Sequence, residues 1–129
     1  MVRTFGLTHI ALAVRDVDRS AQFYHRVLGA VEVYRQAGFV QIQTPGSRDV
    51  IVLERKPDAG KQGGIIHFGF RLIDPADIDA AAAAVVEAGG TVLDKGEFCP
   101  GEPYLFARDP DGYEIEIWFE LPTPFDPVA

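Results

Sequence analysis

The sequence predicts an α+β protein built from two βαβββ modules. Residues 7–14 (LTHIALAV) and 65–72 (IIHFGFRL) are both strand-like runs with histidine as their third residue. Each run leads to an aspartate placed to open a helix, and His9 to His67 and Asp16 to Asp74 are the same 58 residues apart. After each helix come three more short apolar runs of strand character. That period is longer than the roughly 20–50 residues of open solenoids, so two modules paired about an approximate two-fold axis fit better.

The elements follow in order. In residues 7–14, Thr8, Ile10, Leu12 and Val14 share one face, and Leu7, His9, Ala11 and Ala13 the other. Asp16 is placed as the N-cap of a helix ending near Leu28, with Gly29 as its stop signal. Ala21, Tyr24, Val27 and Leu28 recur along it at helical spacing, a face suited to packing on a sheet. Three strands follow at 31–36, 39–44 and 49–55, separated by Ala37-Gly38 and Pro45-Gly46-Ser47. Residues 56–64, with Pro57 and three glycines, form a loop.

The pattern then restarts. In residues 65–72, Ile66, Phe68, Phe70 and Leu72 take one side, and Ile65, His67, Gly69 and Arg71 the other. Asp74-Pro75 opens a helix over 76–88, and Gly89-Gly90 ends it. Strands at 91–94, 104–108 and 113–119 complete the copy, the last two joined by a turn at Asp109-Pro110-Asp111-Gly112. In the final strand Ile115, Ile117 and Phe119 alternate with Glu114, Glu116, Trp118 and Glu120. One domain over 1–129 is expected, with repeats at about 5–56 and 64–120. A proline-rich tail at 121–129 (Pro122, Pro124, Pro127) is expected to wrap a neighbour or fray.

Composition narrows the function. With 129 residues, 47% of them hydrophobic, the chain can bury a core. A net charge of −7 argues against a nucleic-acid partner, which needs a basic stripe. The one cysteine, Cys99, excludes an internal disulfide and suggests a reducing compartment. No run approaches the ~18 apolar residues of a membrane span, and the first residues lack a signal peptide's apolar segment. The expectation is a soluble cytoplasmic protein without a membrane partner.

The chemistry centres on two histidines and a glutamate. His9 and His67 hold equivalent places in the repeat, on faces whose neighbours Ala11, Ala13 and Gly69 are small enough to leave room for a ligand. Glu116 lies out of phase with Ile115 and Ile117, on the inner face of its own strand. Two neutral imidazoles and one carboxylate suit divalent iron, manganese, zinc or nickel and leave open positions for substrate. Such a centre could polarise a carbonyl or enolate, or bind dioxygen at iron. The plainer alternative is three satisfied polar residues: histidines bonded to backbone carbonyls and a solvated edge glutamate.

THIALAVRDVDRSAQFY, IIHFGF and LFARDPDGYEIEIW resemble the vicinal oxygen chelate superfamily, which includes glyoxalase I, extradiol ring-cleaving dioxygenases, fosfomycin-resistance thiol transferases and bleomycin-binding proteins. The likeness extends to about Glu120. It implies sheets curled around one cavity, a homodimer with sites within a chain or across the pair, and a divalent metal on His9, His67 and Glu116, the last also assigned to catalysis. It further implies a small-molecule substrate that chelates the metal through vicinal oxygens, in a lyase or extradiol-type dioxygenase reaction.

Several residues depart from the family's patterns. Glyoxalase I-like members take a fourth ligand, a glutamate, from the first module's last strand. The repeat places Val52 there, and Glu54 would serve only after a register slip. Ala11 stands where fosfomycin-resistance enzymes have a threonine, and residues 96–103 hold no basic residue, so phosphonate substrates are not expected. The triad argues against a bleomycin-binding role, yet the alternative remains a non-catalytic protein that sequesters a hydrophobic or cationic compound.

By alternation, the substrate-facing residues are Phe39, Gln41, Val50, Val52, Tyr104, Phe106, Arg108 and Trp118, a mostly apolar lining. Arg108 would meet an anionic group or else pair with Asp109, Asp111 or Glu120. Tyr113 is read as rim packing, His25 as surface, and Cys99 as part of a loop suited to a lid.

Overall fold

The computed structural model describes residues 1–126. The first module comprises β1 (His9–Val14), α1 (Val17–Leu28), β2 (Val31–Gln36), β3 (Phe39–Gln43) and β4 (Val50–Arg55). The second comprises β5 (Phe68–Arg71), α2 (Ile78–Glu87), β6 (Thr91–Glu97), β7 (Pro103–Arg108) and β8 (Glu114–Trp118). Each module folds into its own four-stranded mixed sheet, ordered β1-β4-β3-β2 and β5-β8-β7-β6. In both, the first strand runs parallel to the last and the other neighbours are antiparallel. The α+β class and the duplicated βαβββ order are those the sequence predicts.

Caps set the helix ends. Asp16 accepts hydrogen bonds from the backbone N–H groups of Asp18 and Arg19, and Gly29 closes α1 at φ 72°. Asp74 caps in the same way, but what it caps is a 3-10 turn over Pro75–Asp77, and α2 proper begins only at Ile78. The first strands are shorter than expected, starting at His9 and Phe68 instead of residues 7 and 65. Each is an edge strand with one partner, and the ladders begin at His9–Val50 for β1 and Phe68–Ile115 for β5. His67 therefore sits just ahead of β5.

Alternation buries one face of each sheet. Leu12, Val14, Val40, Ile42 and Leu53 lie under α1, and Leu105, Ala107, Ile115 and Ile117 under α2, all in one continuous cluster with Phe23, Tyr24 and Val85. Each buried valine, leucine, isoleucine or phenylalanine among them contributes about 1.5–3 kcal/mol. Of the α1 face read from the sequence only Tyr24 is fully buried. Ser20 and Phe23 join it, and Ala21, Val27 and Leu28 are partly covered. The modules meet closely at Gly90, where a Cβ would stand 2.5 Å from the Arg108 carbonyl oxygen and 2.7 Å from the Phe23 ring.

The described part of the tail packs on the second module. Residues 121–126 fold back on their own chain: Leu121 N–H donates to Glu102 Oε1 at 3.1 Å, and Thr123 Oγ1 to Asp126 Oδ1 at 2.8 Å. Pro127 and the rest of the predicted tail lie outside the described residues. Among the described residues no helix is long and apolar enough to cross a membrane.

Candidate metal centre and substrate face

Because bulky residues face the helices, the opposite face of each sheet carries the residues with chemistry. On the second sheet His67, Gly69 and Arg71 lie beside Glu114, Glu116 and Trp118, with Gly69 paired to Glu116 and Arg71 to Trp118. His67 Nε2 is 3.0 Å from Glu116 Oε2, and His67 Nδ1 is 3.7 Å from Glu114 Oε2. Nδ1 is buried and has no hydrogen-bond partner.

The 3.0 Å separation is that of a hydrogen bond between His67 Nε2 and the Glu116 carboxylate. Glu114 Oε2, 3.7 Å from Nδ1, is beyond hydrogen-bond reach. An imidazole and a carboxylate side by side are also ligand types that a divalent cation takes. Glu114 is a residue the sequence reading left without a role. The signal for it was its place on the Glu116 face.

His9 stands elsewhere. It is exposed on the first sheet, with Nδ1 2.9 Å from Thr8 Oγ1. It opens onto a hollow of about 380 Å³ lined also by Ala11, Phe39, Gln41, Val50, Val52 and Glu54. The structure thus gathers Phe39, Gln41 and Val52 around His9, and Phe106 and Trp118 around His67 and Glu116. Among the described residues no three of His, Cys, Asp and Glu in one chain are placed to hold a metal ion. Within one chain His9 stands apart from the His67–Glu116 pair, and the sequence left open a site within a chain or across a pair of chains. A cavity of about 220 Å³ is lined by both modules, by Ala11 and Ala13 of β1 with His67, Tyr113 and Glu114.

The pairing register decides the status of Glu54. Ala11 pairs with Val52 as Gly69 pairs with Glu116, so the first-module counterpart of Glu116 is apolar. Glu54 faces the same hollow one step further along and forms an ion pair with Lys56 at 3.4 Å.

Aromatic rings make a continuous wall on the second sheet. The His67 ring lies edge-on to Phe106 at 5.2 Å, Phe106 is 5.4 Å from Tyr104, and Phe98 stacks on Tyr104 at 4.4 Å and stands 6.2 Å from Trp118. Phe98 was not singled out in the sequence because it falls in the segment leading to Cys99. Partial desolvation and a hydrogen bond to Glu102 raise the pKa of that exposed cysteine's thiol, which disfavours a thiolate nucleophile. Arg108 is exposed at the end of β7 opposite Glu114, and among the described residues it forms no ion pair within 4.0 Å, so neither Asp109, Asp111 nor Glu120 holds it.

The Asp109-Pro110-Asp111-Gly112 turn does more than reverse the chain. Asp109 Oδ1 accepts from the N–H groups of Asp111 and Tyr113, and Oδ2 accepts from Tyr24 Oη at 2.7 Å. Burial raises the Asp109 pKa against the pull of those bonds, and burial with the adjacent Asp109 charge drives the Tyr24 phenol well above its ordinary value. Asp111 accepts from Arg15 N–H, from Ser20 Oγ and from the guanidinium groups of Arg15 and Arg19. Tyr113, expected at the rim, is buried and donates to the Ala13 carbonyl at 2.7 Å. The turn clasps the first module and sets where β8, with Glu114 and Glu116, begins.

Residues 6–117 match the model of the Glyoxalase/Bleomycin resistance protein/Dioxygenase superfamily. The chain belongs to that superfamily. Among curated members it is 30% identical over 123 residues to the catechol-2,3-dioxygenase of Bacillus subtilis (strain 168), covering 89% of this chain and 42% of the dioxygenase. It therefore spans about two-fifths of that relative's length. It is 31% identical over 121 residues to the lactoylglutathione lyase of Haemophilus influenzae, covering 86% of this chain and 90% of the lyase. The crystal structure of the fosfomycin resistance protein of Listeria monocytogenes superposes with a TM-score of 0.77 at 18% identity, over 92% of this chain and 96% of that one, a likeness of fold. Superfamily relatives thus carry the names of both a dioxygenase and a lyase.

Proposed function

We propose that this chain is a metal-dependent enzyme of its superfamily, acting on a small substrate that chelates a divalent cation through two adjacent oxygens. His67 and Glu116 of one copy and His9 of a second copy would hold the cation. The observation that carries this reading is the His67–Glu116 pair, an imidazole and a carboxylate 3.0 Å apart on the outer face of the second sheet, ligand types that a divalent cation takes. When bound, the cation would supply Lewis-acid polarisation of the chelated oxygens. The chain's own residues orient His67 through Glu114, shield one side with Phe106, Tyr104 and Trp118, and bring Phe39, Gln41 and Val52 with His9 from the other side.

A homodimer explains why one chain carries two incomplete faces. β1 and β5 are both sheet-edge strands with an unpaired side. Apolar residues flank them at high exposure: Leu7 at 94%, Ile66 at 75% and Ile73 at 99%. Such a combination favours burial against a second copy. The absence of a glutamate at the Val52 position favours a three-ligand centre over a four-ligand one, and with it a dioxygenase-like over a glyoxalase-like reaction.

Mixing variants tests both parts. His9→Ala and Glu116→Ala proteins, each purified and dialysed against Zn(II), should hold little metal. After unfolding and refolding together, half the dimers are mixed and each contains one intact site, so about a quarter of a site per chain should return. A wild type that binds no metal ends the enzymatic reading. Metal in the wild type without recovery on mixing places the site within one chain. Tight binding of an aromatic ligand that survives chelators would favour sequestration, for which the Phe98–Tyr104 stack is already suited.

A further inference from the structure

The second module departs from the repeat at one hydrogen bond, just ahead of its histidine. In the first module Val50 N–H donates to the Thr8 carbonyl at 3.0 Å, and His9 pairs with Val50 at the start of β1. Thr8 and Ile66 are 58 residues apart, as His9 and His67 are, and the Ala11–Val52 pair corresponds to Gly69–Glu116. The equivalent bond would therefore run from Glu114 N–H to the Ile66 carbonyl. Instead the carboxamide of Gln62 stands between them. Its Oε1 accepts from Glu114 N–H at 2.9 Å, and its Nε2 donates to the Ile66 carbonyl at 2.8 Å and to the Ile65 carbonyl at 2.6 Å.

The run Gln62-Gly63-Gly64-Ile65 places the amide there. Ile65 N–H closes a turn on the Gln62 carbonyl at 3.1 Å, with Gly63 at φ 60° and Gly64 at φ 93°. Two successive positive φ values are those of a type I′ turn and suit glycine. The tight reversal brings the Gln62 side chain back alongside residues 65 and 66. The loop ahead of it is fixed as well: Gly60 N–H donates to Tyr113 Oη at 3.0 Å, and a Cβ on Gly60 would stand 2.5 Å from the Asp111 carbonyl oxygen. Both partners belong to the stretch that leads into β8.

Inserted where a backbone rung would be, the amide holds residues 65–67 off β8, and β5 begins one residue later in the repeat than β1. The two histidines differ accordingly. His9, whose strand pairs directly, keeps Nδ1 on the neighbouring Thr8 Oγ1 and is exposed. His67, released from the ladder, has Nε2 3.0 Å from Glu116 and its ring edge-on to Phe106. We propose that Gln62 is a positioning residue that sets the His67 imidazole against Glu116. Its weight for function rests on the metal reading above; its geometry does not. Its three hydrogen bonds leave the carboxamide only one free acceptor site, so it acts as a fixed spacer. Shortening it, or removing its polar atoms, lets the chain ahead of β5 close onto Glu114 and turns the ring away from Glu116.

Long-range proton–nitrogen NMR spectra of the metal-free protein, labelled in its three histidines, test this at about pH 8, where ordinary imidazoles are neutral. His67 should carry its proton on Nε2 and exchange it slowly with solvent, because that proton is bonded to Glu116. Gln62→Met keeps the length of the side chain without the amide, and Gln62→Asn keeps the amide without the reach. In both, His67 should become a rapidly exchanging ring, while His9 and His25, the latter bonded to the Ala30 carbonyl, keep their signals. The His25 signal reports that each variant is folded. A glutamine that only anchors the loop would lower stability and leave the His67 ring unchanged. Competition with a chelating dye should show Zn(II) binding weakened about tenfold in both variants. A wild-type His67 ring that exchanges as fast as that of His9, a His67 signal unmoved in either folded variant, or a zinc affinity within twofold of wild type overturns the assignment. A wild type that takes up no zinc, with His67 shifting as stated, refutes the metal reading and leaves the role of Gln62 standing.

Discussion

Truncating Asp111 to alanine should destabilise the protein by about 3–5 kcal/mol, because one carboxylate satisfies four donors at the junction of the modules. Its side chain is fully buried, and so is Ser20, whose hydroxyl donates to Oδ2 at 3.0 Å. The Arg15 backbone N–H donates to Oδ1 at 3.0 Å. Leaving these two donors unpaired costs about 1–3 kcal/mol each. The guanidinium contacts, at 3.2 Å from Arg15 and 3.3 Å from Arg19, add less, because those side chains are 59% and 45% exposed. Solvent screening limits each of them to about 1 kcal/mol or below. Asp111→Asn keeps one acceptor oxygen and should lose about half as much, roughly 2 kcal/mol. Urea unfolding at fixed protein concentration, followed by fluorescence of the single tryptophan, Trp118, measures both. An alanine variant within 1 kcal/mol of wild type would refute the clasp, as would an asparagine variant less stable than the alanine one.

Other perturbations reach the same network and the His67–Glu116 pair. Tyr24→Phe should cost about 1–3 kcal/mol at neutral pH, since it leaves Asp109 Oδ2 without its donor. The Tyr24 pKa is raised in the folded state, so its share of stability is fully present below the unfolded value of about 10 and is lost as pH rises above it. Denaturation curves from neutral pH upward should show that alkaline loss in wild type and a shallower one in the phenylalanine variant. Glu114→Gln should weaken zinc binding about tenfold by removing the charged partner of His67 Nδ1, as measured by competition with a chelating dye. An affinity within twofold of wild type would show that Glu114 does not orient the imidazole.

Much of the fold was legible because it is written locally. The equal spacing of His9 to His67 and Asp16 to Asp74 reflects two copies of one strand-cap-helix unit, and the sheet registers Ala11–Val52 and Gly69–Glu116 preserve it. Alternation predicted correctly which residues of β1, β5 and β8 face away from the helices. It does not show where pairing starts, so it extends both first strands beyond the residues that pair. Nor did it show that Asp109, Asp111 and Tyr113 are buried: Asp-Pro-Asp-Gly carries the same turn chemistry whether it ends in solvent or against a neighbouring helix.

The sequence by itself determined the duplicated modules, their helix caps and the face on which each histidine and Glu116 lies. Those properties depend on residues a few positions apart, whose φ/ψ preferences and side-chain period act before any distant contact forms. Only the tertiary structure decided that His67 and Glu116 meet at 3.0 Å while His9 stands on a separate sheet, and that Arg71 is held by Asp126. The relative placement of two modules is set by long-range burial around Phe23, Tyr24 and Gly90, and no local pattern encodes the direction in which two amphipathic sheets turn their outer faces.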